Sequence, residues 1–391
     1  MKQDSTIRHL LTDTIDRGVI PCAAYAVGRG NEIFETDSLG YRSFYPQKEE
    51  ITPDTRFDMA SLTKLMSTTM VALRFIEEGK LLLSDPLSRF FTEEELAGAP
   101  EGRASATVFH LMTHTSGITP HIALWREIPA DQVGTPEFSS LAAHTILRSA
   151  PFCGVGEQVH YSCMGYILLQ QILERISGER LDALARKYVY EPLLMSSTGY
   201  LPFGSNENKP DCNAATTELS PLHGYYIRGH VHDENAHFLG GVSGNAGLFT
   251  TLSDAVRFAQ MLSLRGELPS AIQRQRRLFA PADQIPETRF LSRRTFDLAV
   301  TDYTKGKNES RGLGFQLRPP LPALSAAGDL FAYGSFGHTG FTGTSLYVDA
   351  ETGIWAVLLT NAVHFGREKT EFFRVRRLFH NAVISSYHDV K

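Results

Sequence analysis

Strand signals occupy the two ends of this chain and helical signals its middle, so the fold must be one in which the ends meet. Residues 22–27 (Cys22-Ala23-Ala24-Tyr25-Ala26-Val27) and 32–36 are β-rich runs around the turn Gly28-Arg29-Gly30-Asn31, which predicts a hairpin. Residues 345–349 and 354–359 flank a second turn, Ala350-Glu351-Thr352-Gly353. A helix is expected over 5–18, where Ile7, Leu10, Leu11 and Ile15 repeat, Asp4 or Ser5 can cap and Gly18 ends it. Another is expected over 368–387, with Phe372, Val375, Phe379 and Val383 on one face. Between them, 164–177 and 253–264 carry helical periodicity. Residues 199–247 have little periodicity and form a loop long enough to shape a site or move. Residues 265–312 are polar, with Pro269, Pro281 and Pro286, and read as a surface excursion. The pattern predicts an α+β protein: an antiparallel sheet built from both ends, flanked by helices and carrying a mostly helical insert. The expected division is a discontinuous sheet domain, 1–79 with 313–391, and a helical, loop-rich part, 80–312, with the active site at their junction.

The size, 391 residues, suits one large or two closely packed units. A formal net charge of -5 with no basic block excludes a nucleic-acid or anionic-membrane footprint. No run approaches the about 18 apolar residues of a membrane span. Cys22, Cys153, Cys163 and Cys212 are scattered, which predicts reduced thiols. The start, Met1-Lys2-Gln3-Asp4-Ser5-Thr6, lacks a signal-peptide pattern, so the expected location is the cytoplasm.

Three short motifs carry chemistry. Ser61-Leu62-Thr63-Lys64 opens the apolar run Leu65-Met66-Ser67-Thr68-Thr69-Met70-Val71-Ala72-Leu73, predicted as a helix from 61 to 79 ended by Gly79. On such a helix Ser61 and Lys64 share a face, so an amine could take the hydroxyl's proton. Burial or a second cation would lower the lysine's pKa and make it a better base. The plainer alternative is a capping serine beside a solvated lysine. Tyr161-Ser162-Cys163 stands at a loop-to-helix junction, where a phenol can shuttle protons or simply pack its ring. His338-Thr339-Gly340-Phe341 opens a strand whose glycines, Gly337, Gly340 and Gly343, clear an edge for an added substrate strand. There the N–H of Phe341 could join that of Ser61 in holding an oxyanion. A glycine-rich hairpin loop is the plainer reading.

Taken in order, these motifs resemble those of the penicillin-recognising serine hydrolases: Ser-x-x-Lys, Tyr-x-Asn, then Lys-Thr-Gly. The tyrosine is similar to the branch holding class C β-lactamases, DD-peptidases, D-aminopeptidases and β-lactamase-like esterases. Leu111-Met112-Thr113-His114-Thr115-Ser116-Gly117 and Gly240-Gly241-Val242-Ser243-Gly244-Asn245-Ala246-Gly247 support the resemblance, which covers nearly the whole chain. Gly229-His230-Val231-His232-Asp233-Glu234-Asn235-Ala236 resembles a bacterial subgroup described as β-lactamase-like hydrolases or penicillin-binding proteins. The resemblance implies a β-lactamase/transpeptidase-like fold with the glycine-rich segment near the active site. It implies Ser61 as acylated nucleophile, Lys64 as proton acceptor or relay, and Tyr161 as base in acylation and acid to the leaving group. Cys163, His338, Thr339, Gly340 and Phe341 would meet substrate. Two positions depart from the pattern: Cys163 stands for Asn, which loses or weakens a contact to lysine and substrate, and His338 stands for Lys. Histidine there would carry partial charge at neutral pH and give a pH-dependent preference for anionic substrates.

His230-Val231-His232-Asp233 invites a metal reading, but no further histidine follows at a usual ligand offset, so no metal or cofactor is expected. The expected activity is hydrolysis of an ester or amide through an acyl-enzyme, as a carboxylesterase or a D-amino-acid amidase or peptidase. The expected partner is a small-molecule ester, amide or D-amino-acid-containing substrate. A β-lactamase or penicillin-binding protein, and a non-enzymatic binder on the same fold, are the alternatives.

Overall fold

The computed structural model describes residues 5–201, 213–222, 224–279 and 287–390. Asp4, Cys212, His223, Pro281 and Pro286 lie outside the described residues.

The first hairpin pairs β1 (Cys22–Arg29) with β2 (Glu32–Ser43), and β3 (Glu49–Glu50) extends it. A small second sheet consists of β4 (Phe57–Asp58), β5 (Gly199–Tyr200) and β6 (Leu248–Thr250), in the order β4-β6-β5. The C-terminal strands are β7 (Gln316–Leu317), β8 (Phe336–Thr339), β9 (Ser345–Val348) and β10 (Ile354–Thr360). They join the hairpin in a seven-stranded antiparallel sheet of order β3-β2-β1-β10-β9-β8-β7. The ends meet where β1 pairs with β10, with Tyr25 opposite Leu358.

β1 and β10 are apolar along nearly their whole length because both faces are covered. Ala23, Tyr25, Val27, Ile354, Ala356 and Leu358 face one way, onto Ile7 and Leu11 of the helix Thr6–Asp16 and Val375 and Phe379 of the helix Glu371–Tyr387. Ser5, the alternative N-cap to Asp4, accepts from Arg8 N–H at 3.0 Å. Ala24, Ala26, Trp355, Val357 and Leu359 face the other way, into the larger core shared with the helical part. There the helices Cys163–Ser177 and Leu252–Ser263 pack with the segment after Ser61. Gly178 ends the first of these in the left-handed conformation that favours glycine, φ 72°.

The predicted helix at 61–79 is π-helical over Lys64–Thr69 and becomes α-helical over Met70–Glu77. Hydrophobic spacing over so short a run does not separate the two windings. Residues 265–312 are more than a surface excursion. The helices Ser270–Phe279 and Arg293–Ala299 form there, and Phe290, Leu291 and Phe296 join the large core. Their apolar residues are too sparse in sequence for a period to show. Among the described residues no helix is long and apolar enough to cross a membrane, and Cys22, Cys153 and Cys163 are unbonded thiols.

Candidate active site

Ser61 is half-buried immediately after a tight bend, where Ala60 takes a positive φ of 44°. Such backbone in a non-glycine residue costs energy and needs support. Asp58, at the end of β4, supplies it: one carboxylate oxygen accepts from Ala60 N–H at 2.8 Å and the other from His232 N–H at 2.7 Å. Lys64, one turn on, is fully buried. Its ammonium donates to Ser61 Oγ at 3.1 Å, to Cys163 Sγ at 3.4 Å and to the Asn245 carbonyl at 3.0 Å. Cys163 therefore keeps a contact to the lysine, with sulfur as a weak acceptor.

The Asn245 carbonyl comes from the glycine-rich segment, which docks on two helices at once. Thr68 donates to the Gly244 carbonyl at 2.8 Å, and Gly244 N–H donates to Gln170 at 2.8 Å. A Cβ at Gly244 would lie 2.2 Å from the Tyr166 carbonyl oxygen, so the approach requires glycine.

Tyr161 lies in the extended segment before the helix Cys163–Ser177. Ser162 caps that helix through Gly165 N–H at 3.1 Å, and its own N–H donates to His114 Nδ1 at 3.1 Å. The Lys64 ammonium is 4.8 Å from the Tyr161 ring centroid, the His114 ring 4.6 Å and the His338 ring 5.9 Å. The phenol oxygen is sealed from solvent and interacts with the Lys64 ammonium and the Ser61 hydroxyl.

Burial raises the Tyr161 pKa, and the Lys64 cation opposes it in part. Burial works against the Lys64 ammonium too, but the ionised forms of Cys163 and Tyr161 outweigh it, and the net direction is upward. The expected lowering of the lysine is thus reversed: its neighbours are acids, and Arg311 stands on the tyrosine's side. The amine and the phenol titrate as a coupled pair, and the lysine's upward direction holds while a neighbouring acid is ionised.

His338 corrects a second expectation. It is buried, and burial together with Arg311 and Lys64 holds its pKa well below the ordinary histidine value. Its Nδ1–H donates to the Thr339 carbonyl at 2.7 Å, leaving Nε2 as a bare acceptor. A ring so placed is neutral throughout the physiological range and supplies no titrating cation. His114 is likewise buried and held neutral by burial, Arg311 and Lys64.

The turn after β8 is bolted to the backbone that precedes Ser61. Thr342 donates to the Asp58 carbonyl at 2.7 Å and Thr344 to the Met59 carbonyl at 3.3 Å. A Cβ on Gly340 would sit 2.1 Å from Thr344 Oγ1 and 2.5 Å from the Met59 carbonyl oxygen. Phe341, half exposed, stacks on His232 with ring centroids 5.6 Å apart. His232 in turn bonds Glu218 at 2.9 Å. Asp58 and His232 thus touch both segments that carry the candidate oxyanion donors. β7 pairs with Phe336 and Gly337 alone, so the β8 edge at His338 and Thr339 has no strand partner among the described residues.

All eight residues singled out from the sequence lie on these segments. Asn245, Asp58, His232, His114 and Arg311 complete the surroundings. A glycine-rich run pointed toward Asn245. Nothing local distinguished Arg311.

The sequence profile of the family described as Beta-lactamase matches residues 4–379. The chain is 25% identical over 367 residues to "N-acetylmuramyl-L-alanine amidase" of Bacillus subtilis (strain 168), covering 88% of this chain and 78% of that protein. It is 27% identical over 339 residues to an Escherichia coli (strain K12) protein provisionally named a D-alanyl-D-alanine carboxypeptidase, covering 81% and 71%. Its fold is similar to that of "EstCE1, a hydrolase with promiscuous acyltransferase activity", with a TM-score of 0.69, 20% identity and 96% and 97% coverage. A profile match over nearly the full length, on an antiparallel sheet flanked by helices, means that the chain belongs to the β-lactamase family.

Proposed function

We propose that this protein is a serine hydrolase that cleaves an ester or amide through a covalent acyl-enzyme, as a carboxylesterase or a D-amino-acid amidase or peptidase. The observation that carries this is the contact of 3.1 Å between the buried Lys64 ammonium and the half-buried Ser61 Oγ, with Tyr161 beside both. When the Lys64–Tyr161 pair has lost one proton, it accepts the proton of Ser61. Ser61 Oγ then bonds to the substrate carbonyl carbon, and the carbonyl π electrons move to oxygen. The N–H groups of Ser61 and Phe341 hold that charge. Collapse restores the carbonyl and breaks the bond to the leaving oxygen or nitrogen, which takes a proton through Tyr161. Water repeats the sequence on the acyl-enzyme and releases an acid. The names of the relatives, an amidase and a carboxypeptidase, support the amide arm.

The test is mass spectrometry of the intact protein after a fluorophosphonate probe, with Ser61→Ala beside it. The expected result is one adduct on Ser61, with turnover of p-nitrophenyl esters or D-alanyl peptides falling by on the order of 10³ or more in the variant. An unlabelled protein that turns over neither substrate sinks the proposal. Turnover of nitrocefin alone would replace it with β-lactamase activity.

A further inference from the structure

The C-terminal helix, Glu371–Tyr387, places one cation behind the turn that follows β8. Arg376 is 6% exposed, and its Nη2 donates to the Gly340 carbonyl at 3.1 Å. Its Nε is buried with no partner among the described residues, and its guanidinium carbon lies 5.0 Å from the Phe372 ring centroid. The next residue, Arg377, takes Asp329 at 2.8 Å, whereas Arg376 forms no ion pair among the described residues. Its titratable neighbours offer no negative charge at neutrality. Burial raises the Tyr347 phenol, and burial with Arg376 itself pushes His380 down to about 3. Burial pulls Arg376 down to about 10, which leaves it charged at neutral pH. Burying a charge without a counter-ion destabilises a fold, so packing alone does not account for this one.

The group that Arg376 touches accounts for it. The Gly340 carbonyl and the Phe341 N–H belong to one planar trans peptide unit, in which C=O and N–H point in opposite directions. The carbonyl accepts twice, from Arg376 and from Gly343 N–H at 3.1 Å. At the other end of the unit, the Phe341 N–H donates to no described residue, and neither does that of Ser61. The Gly343 bond fixes the peptide plane but brings no charge. The guanidinium brings charge: it draws electron density toward the carbonyl oxygen and makes the N–H a stronger donor. Its field reaches the site, since it is one of the cations that hold His338 neutral.

We propose that Arg376 is a positioning residue for the oxyanion site, holding and polarising the 340–341 peptide from behind so that Phe341 N–H meets the charge developing on the substrate carbonyl oxygen. This rests on the serine-hydrolase reading and deepens it by naming a charge that acts on the reaction without touching substrate.

The test uses Arg376→Met, which keeps most of the side chain's length and loses its charge, and Arg376→Lys, which keeps the charge. On a p-nitrophenyl ester, Arg376→Met should lower kcat by about tenfold with KM little changed, a smaller loss than the 10²–10³ for removing a donor outright. Its Tm should equal or exceed that of the wild type, because an unpaired buried charge is gone. Arg376→Lys should recover part of kcat. A boronic acid, whose adduct on Ser61 is a tetrahedral anion, should bind about tenfold more weakly to Arg376→Met than to the wild type. An Arg376→Met protein with a lower Tm, or one that does not fold, overturns the proposal, because a merely structural arginine would act that way. Unchanged kcat and unchanged boronic acid affinity overturn it too. A wild type that takes no fluorophosphonate label strikes the hydrolase reading; a labelled wild type matched in rate by Arg376→Met strikes Arg376 alone.

Discussion

The two walls of the cleft hold their polar groups by different means. On the sheet wall, the turn after β8 is fixed by backbone ladders and by Thr342 and Thr344 on the carbonyls of Asp58 and Met59. On the helical wall, Tyr161, His114 and Arg311 are buried side chains, and His114 Nε2 and Arg311 Nη1 have no partner among the described residues. The first wall is rigid because close backbone approach leaves no room, and it suits a fixed oxyanion site. The second is a set of side chains with spare bonding capacity, which suits recognition and proton transfer. On the proposed reading, backbone donors would hold the developing charge and the side-chain wall would select what reacts.

The largest effect expected from breaking the sheet wall alone is that of Gly340→Ala. The added methyl meets backbone and a fixed threonine, so the turn must shift and the Phe341 N–H with it. The expected loss is about 10²–10³ in kcat, the range for one oxyanion donor. Steady-state kinetics on a p-nitrophenyl ester check it, and an unchanged kcat would remove Phe341 from the site.

The pH profile probes the opposite wall. The Lys64 pKa is raised, so the amine is charged at neutrality; the Tyr161 pKa is raised, so the phenol is neutral. The competent pair lacks one proton, and its population grows as pH rises toward the raised value. kcat/KM for a neutral ester should climb roughly tenfold per pH unit from about pH 6 to about pH 8. His338 and His114 are held neutral, so no further step is expected in that range. A plateau below pH 7 would mean that burial wins over the neighbouring acids at Lys64.

A smaller effect tests whether the sheet wall extends to His232. This residue bonds Asp58 through its N–H and Glu218 through its ring, and stacks on Phe341. His232→Ala should lower kcat by about tenfold with KM little changed, since it removes the ring's hydrogen bond to the Glu218 carboxylate and its stack on Phe341 and loosens the Phe341 segment, while the backbone N–H still bonds Asp58. A rise in KM at constant kcat would make the stack a substrate contact instead. The smallest change sharpens the helical wall. Cys163→Asn replaces a weak sulfur acceptor of Lys64 with an amide, and should raise turnover of a D-alanyl amide relative to its ester by about two- to fivefold. A fall for both would show that the thiol's size matters more than its bonding.

Much of the sheet wall was legible from residue types. Gly340 and Gly244 sit where a methyl would strike backbone, and the alternation in β1 and β10 follows from two covered faces. The spacing of Ser61 and Lys64 survives because their turn precedes the π winding: Lys64 N–H donates to the Ser61 carbonyl at 3.1 Å, which closes one turn before the π segment begins. The helical wall was less legible. Arg311 lies in a polar, irregular stretch with no period, and its place beside Tyr161 comes from a separation of 150 residues. His114 lies in the turn after the helix Val108–Met112, and its ring accepts from Ser162, 48 residues away.

The sequence by itself determined which groups could react and the sheet that both ends build, because side-chain chemistry and strand alternation are local properties. The charge states of Lys64 and His338, the partners of Asp58 and the cation facing Tyr161 were decided by the tertiary structure. Burial and the distance between charges set those quantities, and both depend on residues far apart in the chain that packing brings together.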